Sequence, residues 1–354
     1  MRKCPYCDFY SLPGTPVGES GYIDRLKGEL TAYRHLLHHD SRHLSSIFFG
    51  GGTPSLLKPT SIQTILETIH NLWNLTSDCE ITLEANPDSC QTPEKWQEFG
   101  INRVSLGVQA MNDSRLKQLG RPHDLAMAKT ALDKLKLAGF KRINLDLIYA
   151  TPNHSLEAWQ QELEMLLEWD VDHLSCYELT LEPDTPMAKF RLPDDNIGAD
   201  LFEFTRQFLQ KYGFQPYEIS NYARPGQACR HNVNYWEFGD YLGIGAAAHG
   251  KWTDHEGRIW RSEHPRTLTT APLPSPRLVS TDEAGKECLL MGLRQQQGVS
   301  LAIYKHTTGE DLLATKADTI KSLQANDWLI VDSERLRITA SGMVLADEIM
   351  MRLL

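Results

Sequence analysis

Between about residue 20 and residue 220, short apolar runs alternate with amphipathic stretches along the chain. The apolar runs are short and rich in β-branched and aromatic side chains, which is typical of buried strands. They predict strands at Ser46–Phe49, Glu80–Glu84, Arg103–Val108, Arg142–Ile148, His173–Leu179 and Gln215–Ile219.

The stretches between these runs have the periodicity of helices. In Leu156–Leu167, apolar residues recur at steps of three and four, which places them on one face of a helix. Because strands that alternate with helices form βα units, the pattern predicts an α/β fold with a parallel sheet. The helices are predicted at Ile62–Leu72, Pro93–Phe99, Ala126–Ala138, Ser155–Trp169 and Leu201–Tyr212.

Unusual polar or glycine-rich positions fall where four successive strands end. They are Gly50–Thr53, Glu84–Asn86, Gln109 and Asp146. Any one of them is explained by a turn or a helix cap. Because the carboxyl ends of parallel strands meet at one edge, four in succession predict a site there.

The pattern changes after about residue 220 and predicts three domains or segments. Residues 1–225 form the βα core, and residues 226–280 hold an aromatic, Gly- and His-rich stretch followed by a linker with Pro265, Pro272, Pro274 and Pro276. Residues 281–354 combine helices with a hairpin, which predicts a small winged-helix-like α+β domain.

Composition and charge narrow the function classes. The chain has 46 acidic and 36 basic side chains, a net charge of −10, which argues against bulk nucleic-acid binding. The winged-helix-like segment has 8 basic and 11 acidic residues, so it shows no electrostatic footprint for DNA. No apolar run is long enough for a transmembrane helix, which leaves peripheral membrane contact open.

Seven cysteines in 354 residues are too sparse for a disulfide scaffold, and no secretory signal is evident, so a cytoplasmic location is expected. Cys4 and Cys7 form a C-x-x-C pair, which places two soft thiolates on one turn and suits zinc or an iron–sulfur cluster. By itself the pair is half a site, and a redox pair or an unliganded pair is an equal interpretation. The glycine-rich turn Gly50–Gly52 allows close backbone approach to a ligand but lacks the spacing of a dinucleotide or P-loop motif.

Six motifs in this order resemble the radical S-adenosylmethionine (SAM) family, in the branch of oxygen-independent coproporphyrinogen oxidase and related heme chaperones. The motifs are Cys4–Phe9, Gly50–Ser55, Glu84–Pro87, Gly107–Gln109, Gly120–His123 and Asn144–Leu147. The resemblance covers nearly the whole chain. It implies a partial (β/α) barrel that holds a [4Fe–4S] cluster and SAM, with one iron open for the SAM amino and carboxylate groups.

The resemblance also assigns site residues position by position. Cys4 and Cys7 match the second and third cluster ligands, and Tyr6 matches the aromatic residue beside the adenosyl group. The implied SAM pocket consists of Gly51, Gly52, Thr53, Glu84, Gln109, Arg121, Asp146 and Ala247.

One departure from the family pattern concerns the cluster. The family motif is C-x-x-x-C-x-x-C, and its first cysteine would fall immediately before Met1. We therefore expect this chain to supply two of the three ligands, to lack the first barrel strand and to hold the cluster poorly. A start codon assigned too late and a truncated chain are the two explanations.

Two features favour the chaperone side of the branch. Phe9 stands where the oxidase has a further cysteine, and the motif H-N-x-x-Y-W is present with His231, Tyr235 and Trp236. The resemblance implies heme contact by these three residues and delivery of heme to hemoproteins of the respiratory chain. Without it, His231 is a hydrogen-bonding residue in a turn and the aromatics are core.

Two rival functions stay open at this point. One is an enzyme that decarboxylates coproporphyrinogen III propionates through a 5′-deoxyadenosyl radical. The other is a barrel with an incidental zinc half-site at Cys4 and Cys7.

Overall fold

The computed structural model describes residues 3–11, 18–269 and 273–354, with the side chain of residue 195 left aside. Met1 and Pro272, which enter the expectations above, lie outside these ranges. No helix in the described ranges is long and apolar enough to span a membrane.

A seven-stranded sheet forms the centre of the described N-terminal part, in the order β1-β2-β3-β4-β5-β7-β6. Strands β1 to β5 run parallel, as the βα pattern predicts. The strands are β1 (Leu44–Phe49), β2 (Leu75–Ala85), β3 (Arg103–Gln109), β4 (Arg142–Tyr149), β5 (His173–Glu178), β6 (Gln215–Pro216) and β7 (Asn221–Ala223).

Helices connect these strands and cover the sheet. They are α1 (Glu19–Leu36), α2 (Pro59–Leu72), α3 (Pro93–Glu98), α4 (Asp113–Gln118), α5 (Leu125–Leu137), α6 (Leu156–Leu167), α7 (Asp195–Lys211) and α8 (Arg230–Trp236), with 3-10 turns at Pro54–Leu56 and Pro87–Ser89. Side chains such as Trp159 and Leu163 of α6, both fully buried, anchor the helices on the sheet. Burial of such apolar surface is the main stabilising contribution to this layer.

The sixth predicted strand, Gln215–Ile219, is wrong in extent. Only Gln215 and Pro216 pair, and the chain then turns back as β7, antiparallel to both β6 and β5. The backbone N–H of Tyr217 donates to the Asn221 carbonyl at 3.1 Å, which closes this turn. The hairpin ends the parallel sheet at this edge.

The segment after α8 contains a small sheet rather than only a linker. Strands β8 (His249–Thr253), β9 (Ile259–Glu263) and β10 (Arg277–Leu278) pair antiparallel in the order β10-β9-β8. A buried hydrogen-bond network joins this sheet to α1: Tyr33 Oη lies 2.9 Å from Ser262 Oγ and 3.1 Å from His264 Nε2. The domain boundaries at 225 and 280 stay predictions.

The C-terminal part has the mixed helix and strand content expected of a winged-helix-like domain. Its three-stranded sheet runs in the order β11-β13-β12, and the β12–β13 hairpin is the predicted wing. The elements are α9 (Thr281–Leu293), β11 (Val299–Ser300), α10 (Leu301–Thr308), α11 (Leu312–Thr315), α12 (Ala317–Ala325), β12 (Leu329–Val331), β13 (Arg335–Ile338) and α13 (Ala346–Leu353), with a 3-10 turn at Met343–Leu345.

Candidate functional site

A cavity of about 1430 Å³ opens near the carboxyl ends of β1 to β4 and extends along β1 toward α1 and α8. It exceeds the roughly 300–1,000 Å³ of a typical small-molecule pocket, so it has room for more than one ligand. The predicted site residues on its wall are Cys4, Tyr6, Cys7, Gly51, Gly52, Thr53, Glu84, Gln109, Arg121, Asp146 and His231. Phe9, which stands at the oxidase's extra cysteine position, also lines it.

The two thiols lie on a tight turn at one end of this cavity. The backbone N–H of Cys7 donates to the Cys4 carbonyl at 3.1 Å, so both side chains are half-buried on one loop. Met187 N–H donates to the Pro5 carbonyl at 3.1 Å and fixes the back of the turn. Burial is the largest influence on the Cys7 thiol and raises its pKa.

Gly120 packs directly against this turn at Pro5. Its φ is +67°, and a Cβ at this position would lie 2.6 Å from Pro5 Cδ, closer than carbon atoms pack. Glycine therefore permits both the left-handed backbone and the close approach of the cysteine turn.

Replacing Gly120 by alanine is expected to displace the cysteine turn and lower retention of iron several-fold. The backbone strain itself costs about 1–3 kcal/mol. Gly257→Ala is the matched control, because Gly257 has φ +80° and a Cβ added there would have no atom within 4 Å. Iron and acid-labile sulfide are measured after anaerobic reconstitution of both variants. Equal iron in the two would show that the contact with Pro5 is irrelevant.

The glycine-rich turn after β1 is held against a carboxylate. Gly51 adopts φ +102°, and its N–H donates to Glu84 Oε2 at 3.1 Å. Thr53 Oγ1 accepts a hydrogen bond from Asn86 Nδ2 at 3.3 Å. The turn thus presents backbone toward the cavity while β2 fixes its position.

Arg121 connects the thiol turn with the strand ends. Its Nη1 lies 3.2 Å from Cys4 Sγ and 3.5 Å from Tyr6 Oη, and its Nη2 donates to Asn86 Oδ1 and, at 3.2 Å, to the Gly107 carbonyl. Nε is buried without a hydrogen-bond partner in the described part of the chain. A guanidinium in this place can stabilise a thiolate or an approaching carboxylate.

Two carboxylates on neighbouring sides of the cavity repel each other. Burial, together with the charge of Asp146, raises the pKa of Glu84 to about 8. Burial also raises the pKa of Asp146, against hydrogen bonds from Ser105 Oγ at 3.0 Å and Asn144 Nδ2 at 2.8 Å. A cationic ligand placed between the two carboxylates would relieve both effects.

The raised pKa of Glu84 predicts a pH-dependent stability. Between its ordinary pKa of 4.5 and about 8, the folded chain keeps a proton that the unfolded chain has lost. The free energy of unfolding therefore falls as pH rises through this window. In Glu84→Gln this contribution is absent, so the free energy of unfolding should decrease less than in wild type between pH about 5 and about 8.5. Urea unfolding at the two pH values measures the difference. The exposed Glu67→Gln is the control, and parallel curves for wild type and Glu84→Gln would contradict the prediction.

Gln109 ends β3 in a left-handed conformation, with φ +72°, where the register with β4 shifts. A Cβ on Gly107 would lie 2.7 Å from Gln109 Nε2, so the amide folds back over a glycine. With this strained backbone the Gln109 side chain lies on the cavity wall. Such strain is common at functional sites.

His231 lies at the other end of the cavity, on α8. Its ring stacks on Phe48 with centroids 4.6 Å apart, and it meets Tyr235 edge-on at 4.7 Å. Nδ1 lies 3.5 Å from Ser46 Oγ, and Nε2 makes no hydrogen bond within the described ranges. Burial lowers the pKa of His231 to about 4, so the ring is neutral at pH 7, the state in which imidazole binds a metal.

Three of the predicted site residues do not line the cavity. Tyr235 packs edge-on against Tyr241 at 4.3 Å, and Trp236 faces the C-terminal domain, where Arg294 lies 5.1 Å from its ring centroid. Ala247 donates its N–H to the Pro265 carbonyl at 3.2 Å, and its neighbour Ala246 is the residue on the wall. Trp236, five positions after His231, lies on another face of the short helix α8, whereas Tyr235, four positions after it, packs against the His231 ring.

The donor set fits an iron–sulfur cluster in part. Cys4 and Cys7 place two thiols beside Arg121, and no group of three or more His, Cys, Asp or Glu side chains suited to a metal ion occurs among the described residues. The polar wall includes the carboxylates of Glu84 and Asp146, the Gln109 amide and the glycine-rich turn at Gly51, which suits a zwitterionic nucleoside better than an apolar ligand.

Sequence reasoning placed Asn86 at a strand end and Asn144 in a motif without assigning either a role, and it missed Ser105. Asn86 joins Arg121 to Thr53, and Ser105 and Asn144 hold Asp146. Their signal was present, because Ser105, Asn144 and Asp146 interrupt otherwise apolar buried strands on the same face.

Two family models and several known proteins are similar to this chain. Residues 1–166 match the family model of the radical SAM superfamily, and residues 279–345 match the HemN C-terminal domain. The chain is 37% identical to heme chaperone HemW of Haemophilus influenzae over 362 residues, covering 99% of this chain and 94% of that relative. It is 42% identical to heme chaperone HemW of Escherichia coli over 275 residues, covering 75% and 72%.

The solved structure of coproporphyrinogen III oxidase (HemN) from Escherichia coli, described as a radical SAM enzyme, has a TM-score of 0.81 to this chain at 21% identity, covering 99% of this chain and 87% of that one. At this identity the likeness shows the fold: a radical SAM half-barrel sheet with a C-terminal domain.

Proposed function

The chain belongs to the family of HemW heme chaperones within the radical SAM superfamily, and on that basis we propose that it binds heme and transfers it to hemoproteins. One observation supports this most directly: a single cavity holds the cysteine turn and the polar pocket at one end and the neutral His231 ring at the other. Its volume accommodates a nucleoside and a flat porphyrin together.

Membership of the superfamily implies a [4Fe–4S] cluster and SAM. We propose Cys4 and Cys7 as cluster ligands and Tyr6, Gly51, Gly52, Thr53, Glu84, Gln109, Arg121 and Asp146 as the SAM pocket. When bound by its soft thiolate ligands, the cluster supplies redox chemistry. The chain's own contribution is to orient the nucleoside with Glu84 and Asp146 and to hold the thiol turn beside Arg121.

For heme we propose His231 as the iron ligand, with Phe48 holding the imidazole ring from one face. Tyr235 then acts behind His231 and not on the porphyrin itself. The proposed recipients are hemoproteins, including those of respiration. All seven cysteines are free thiols, which is consistent with a reducing compartment, and we propose the cytoplasm.

His231→Ala tests the heme site. Removing an iron ligand is expected to weaken heme binding by at least about tenfold and to change the Soret band. His255→Ala is the control, because 73% of the His255 side chain is exposed to solvent. Wild-type affinity and spectrum in His231→Ala would remove His231 from the site.

The transfer step is tested by mixing the heme-loaded protein with apomyoglobin and following the Soret change. Anaerobic incubation with coproporphyrinogen III and SAM tests the enzyme alternative. Formation of protoporphyrinogen would overturn the chaperone assignment.

A further inference from the structure

A chain of four hydrogen bonds, buried at its centre, crosses the sheet from α8 to Asp146. Asn232, the residue after His231, donates from Nδ2 to Tyr217 Oη at 3.2 Å. Tyr217 Oη lies 2.9 Å from His173 Nε2, and His173 Nδ1 lies 2.7 Å from Asn144 Oδ1. Asn144 Nδ2 then donates to Asp146 Oδ1 at 2.8 Å.

Chemistry fixes the direction of every bond in this chain. Asp146 accepts from both Ser105 and Asn144, so the amide of Asn144 presents its NH₂ to the carboxylate and its oxygen to His173. His173 Nδ1 must therefore carry a proton. Burial, with Arg103 and Arg142 nearby, holds the pKa of His173 well below its usual range, so the ring is neutral and Nε2 is an acceptor.

The hydroxyl of Tyr217 consequently donates to His173 and accepts from Asn232. All donors point the same way, toward Asp146, and bonds in such a chain polarise one another. His173 and Asn144 are 1% and 2% exposed, so water does not compete with the bond between them.

We propose that Tyr217 and His173 are positioning residues that couple Asp146 to α8, so that a change of charge or ligand at Asp146 changes the position of the His231 ring. The role of this coupling in heme transfer rests on the proposed function, since Asp146 belongs to the proposed SAM pocket and His231 to the proposed heme site. The coupling itself is a property of the side chains and needs neither ligand.

Several contacts hold helix α8: Arg230 pairs with Asp78, Asn234 donates to the Asp240 carbonyl, and the Trp236 carbonyl accepts from Gln295. At its N-terminus, the His231 N–H and Cys229 Sγ each lie 3.3 Å from Glu80 Oε1. The Asn232–Tyr217 bond is a further side-chain attachment, and it lies one residue along from the ring that faces the cavity. Losing it breaks the line of side-chain hydrogen bonds that connects this part of α8 with Asp146.

The first experiment uses the ring signals of ¹⁵N-labelled histidines in the ligand-free full chain. His173 should show the neutral Nδ1–H tautomer. Asp146→Asn should shift the signals of both His173 and His231. In Tyr217→Phe, which removes only the donating hydroxyl, the same Asp146→Asn change should no longer shift His231.

Tyr304→Phe is the matched control, a buried tyrosine in the C-terminal domain that should leave the Asp146–His231 effect intact. Asn232→Ala interrupts the chain at its other end and must reproduce Tyr217→Phe, which keeps the test decisive if one variant misfolds. An Nε2–H tautomer of His173, or an Asp146→Asn shift at His231 that persists in Tyr217→Phe, would overturn the proposal.

The second experiment measures heme affinity with and without SAM. Wild type should show at least about a fivefold dependence on SAM, and Tyr217→Phe should bind heme with that dependence lost. Absence of heme binding in wild type would contradict the proposed function, while the histidine signals would still decide the coupling. Heme binding with the SAM dependence unchanged in Tyr217→Phe would overturn the coupling alone.

Discussion

Replacing Cys4 or Cys7 by serine should remove at least about nine-tenths of the iron that the reconstituted chain retains, because a serine hydroxyl is a poor substitute for a soft thiolate ligand. The visible absorption of the cluster should fall in parallel with iron and sulfide. The two thiols share one turn, so each single variant should lose nearly as much as the double variant.

Cys288→Ala provides the control for this prediction. Cys288 is a buried thiol of α9 in the C-terminal domain, so its loss leaves the candidate ligands in place. Its iron content should equal that of wild type. Retention of iron and absorption in Cys4→Ser would mean that the cysteine turn does not hold the cluster.

Removing the carboxylate of Glu80 should cause a large loss of stability. Glu80 is 1% exposed, its Oε2 pairs with Arg142 Nη1 at 2.7 Å, and the charge of Arg103, itself 2% exposed, acts on it. Glu80→Ala removes the ion-pair partner of Arg142 and a buried negative charge beside Arg103, and the expected cost is about 3–5 kcal/mol in the free energy of unfolding. Because Glu80 also holds the start of α8, the His231 site should loosen with it.

Urea unfolding of Glu80→Ala measures this loss. The control is Asp78→Ala, two residues earlier on the same strand, which removes an exposed ion pair with Arg230. An exposed pair is screened by solvent, so the unfolding midpoint of Asp78→Ala should stay near that of wild type. Equal midpoints for the two variants would show that burial of the Glu80 pair has no energetic consequence.

The family motifs led directly to the part of the cavity wall that holds the cysteine turn and the strand ends. The residues at the ends of the parallel strands converge because the strands are parallel and in register, which the alternation of strands and helices predicts. The heme motif was less informative. Contiguity in sequence does not imply a common site: Tyr235 packs against the side of His231, and Trp236 faces the C-terminal domain, so neither lines the cavity.

Helix α1 escaped sequence reasoning for a physical reason. Two of its buried positions are Arg25 and Glu29, which pair with each other at 2.6 Å and weaken the apolar stripe that marks a helix. Glu29 also accepts a hydrogen bond from the Gly245 N–H at 2.7 Å. The burial of Arg25 and Glu29 is explained only by the approach of the segment around Gly245, which lies more than two hundred residues away in the sequence.

The sequence alone determined the order of the parallel strands and the main helices between them, the family and the residues at the strand ends, since periodicity and short motifs are local properties of the chain. The tertiary structure decided which side chains meet: the Arg121–Cys4 contact, the Glu80 ion pair and the line of bonds from Asn232 to Asp146. These depend on packing between distant segments, where burial removes water and makes each charge and hydrogen bond depend on its particular neighbour.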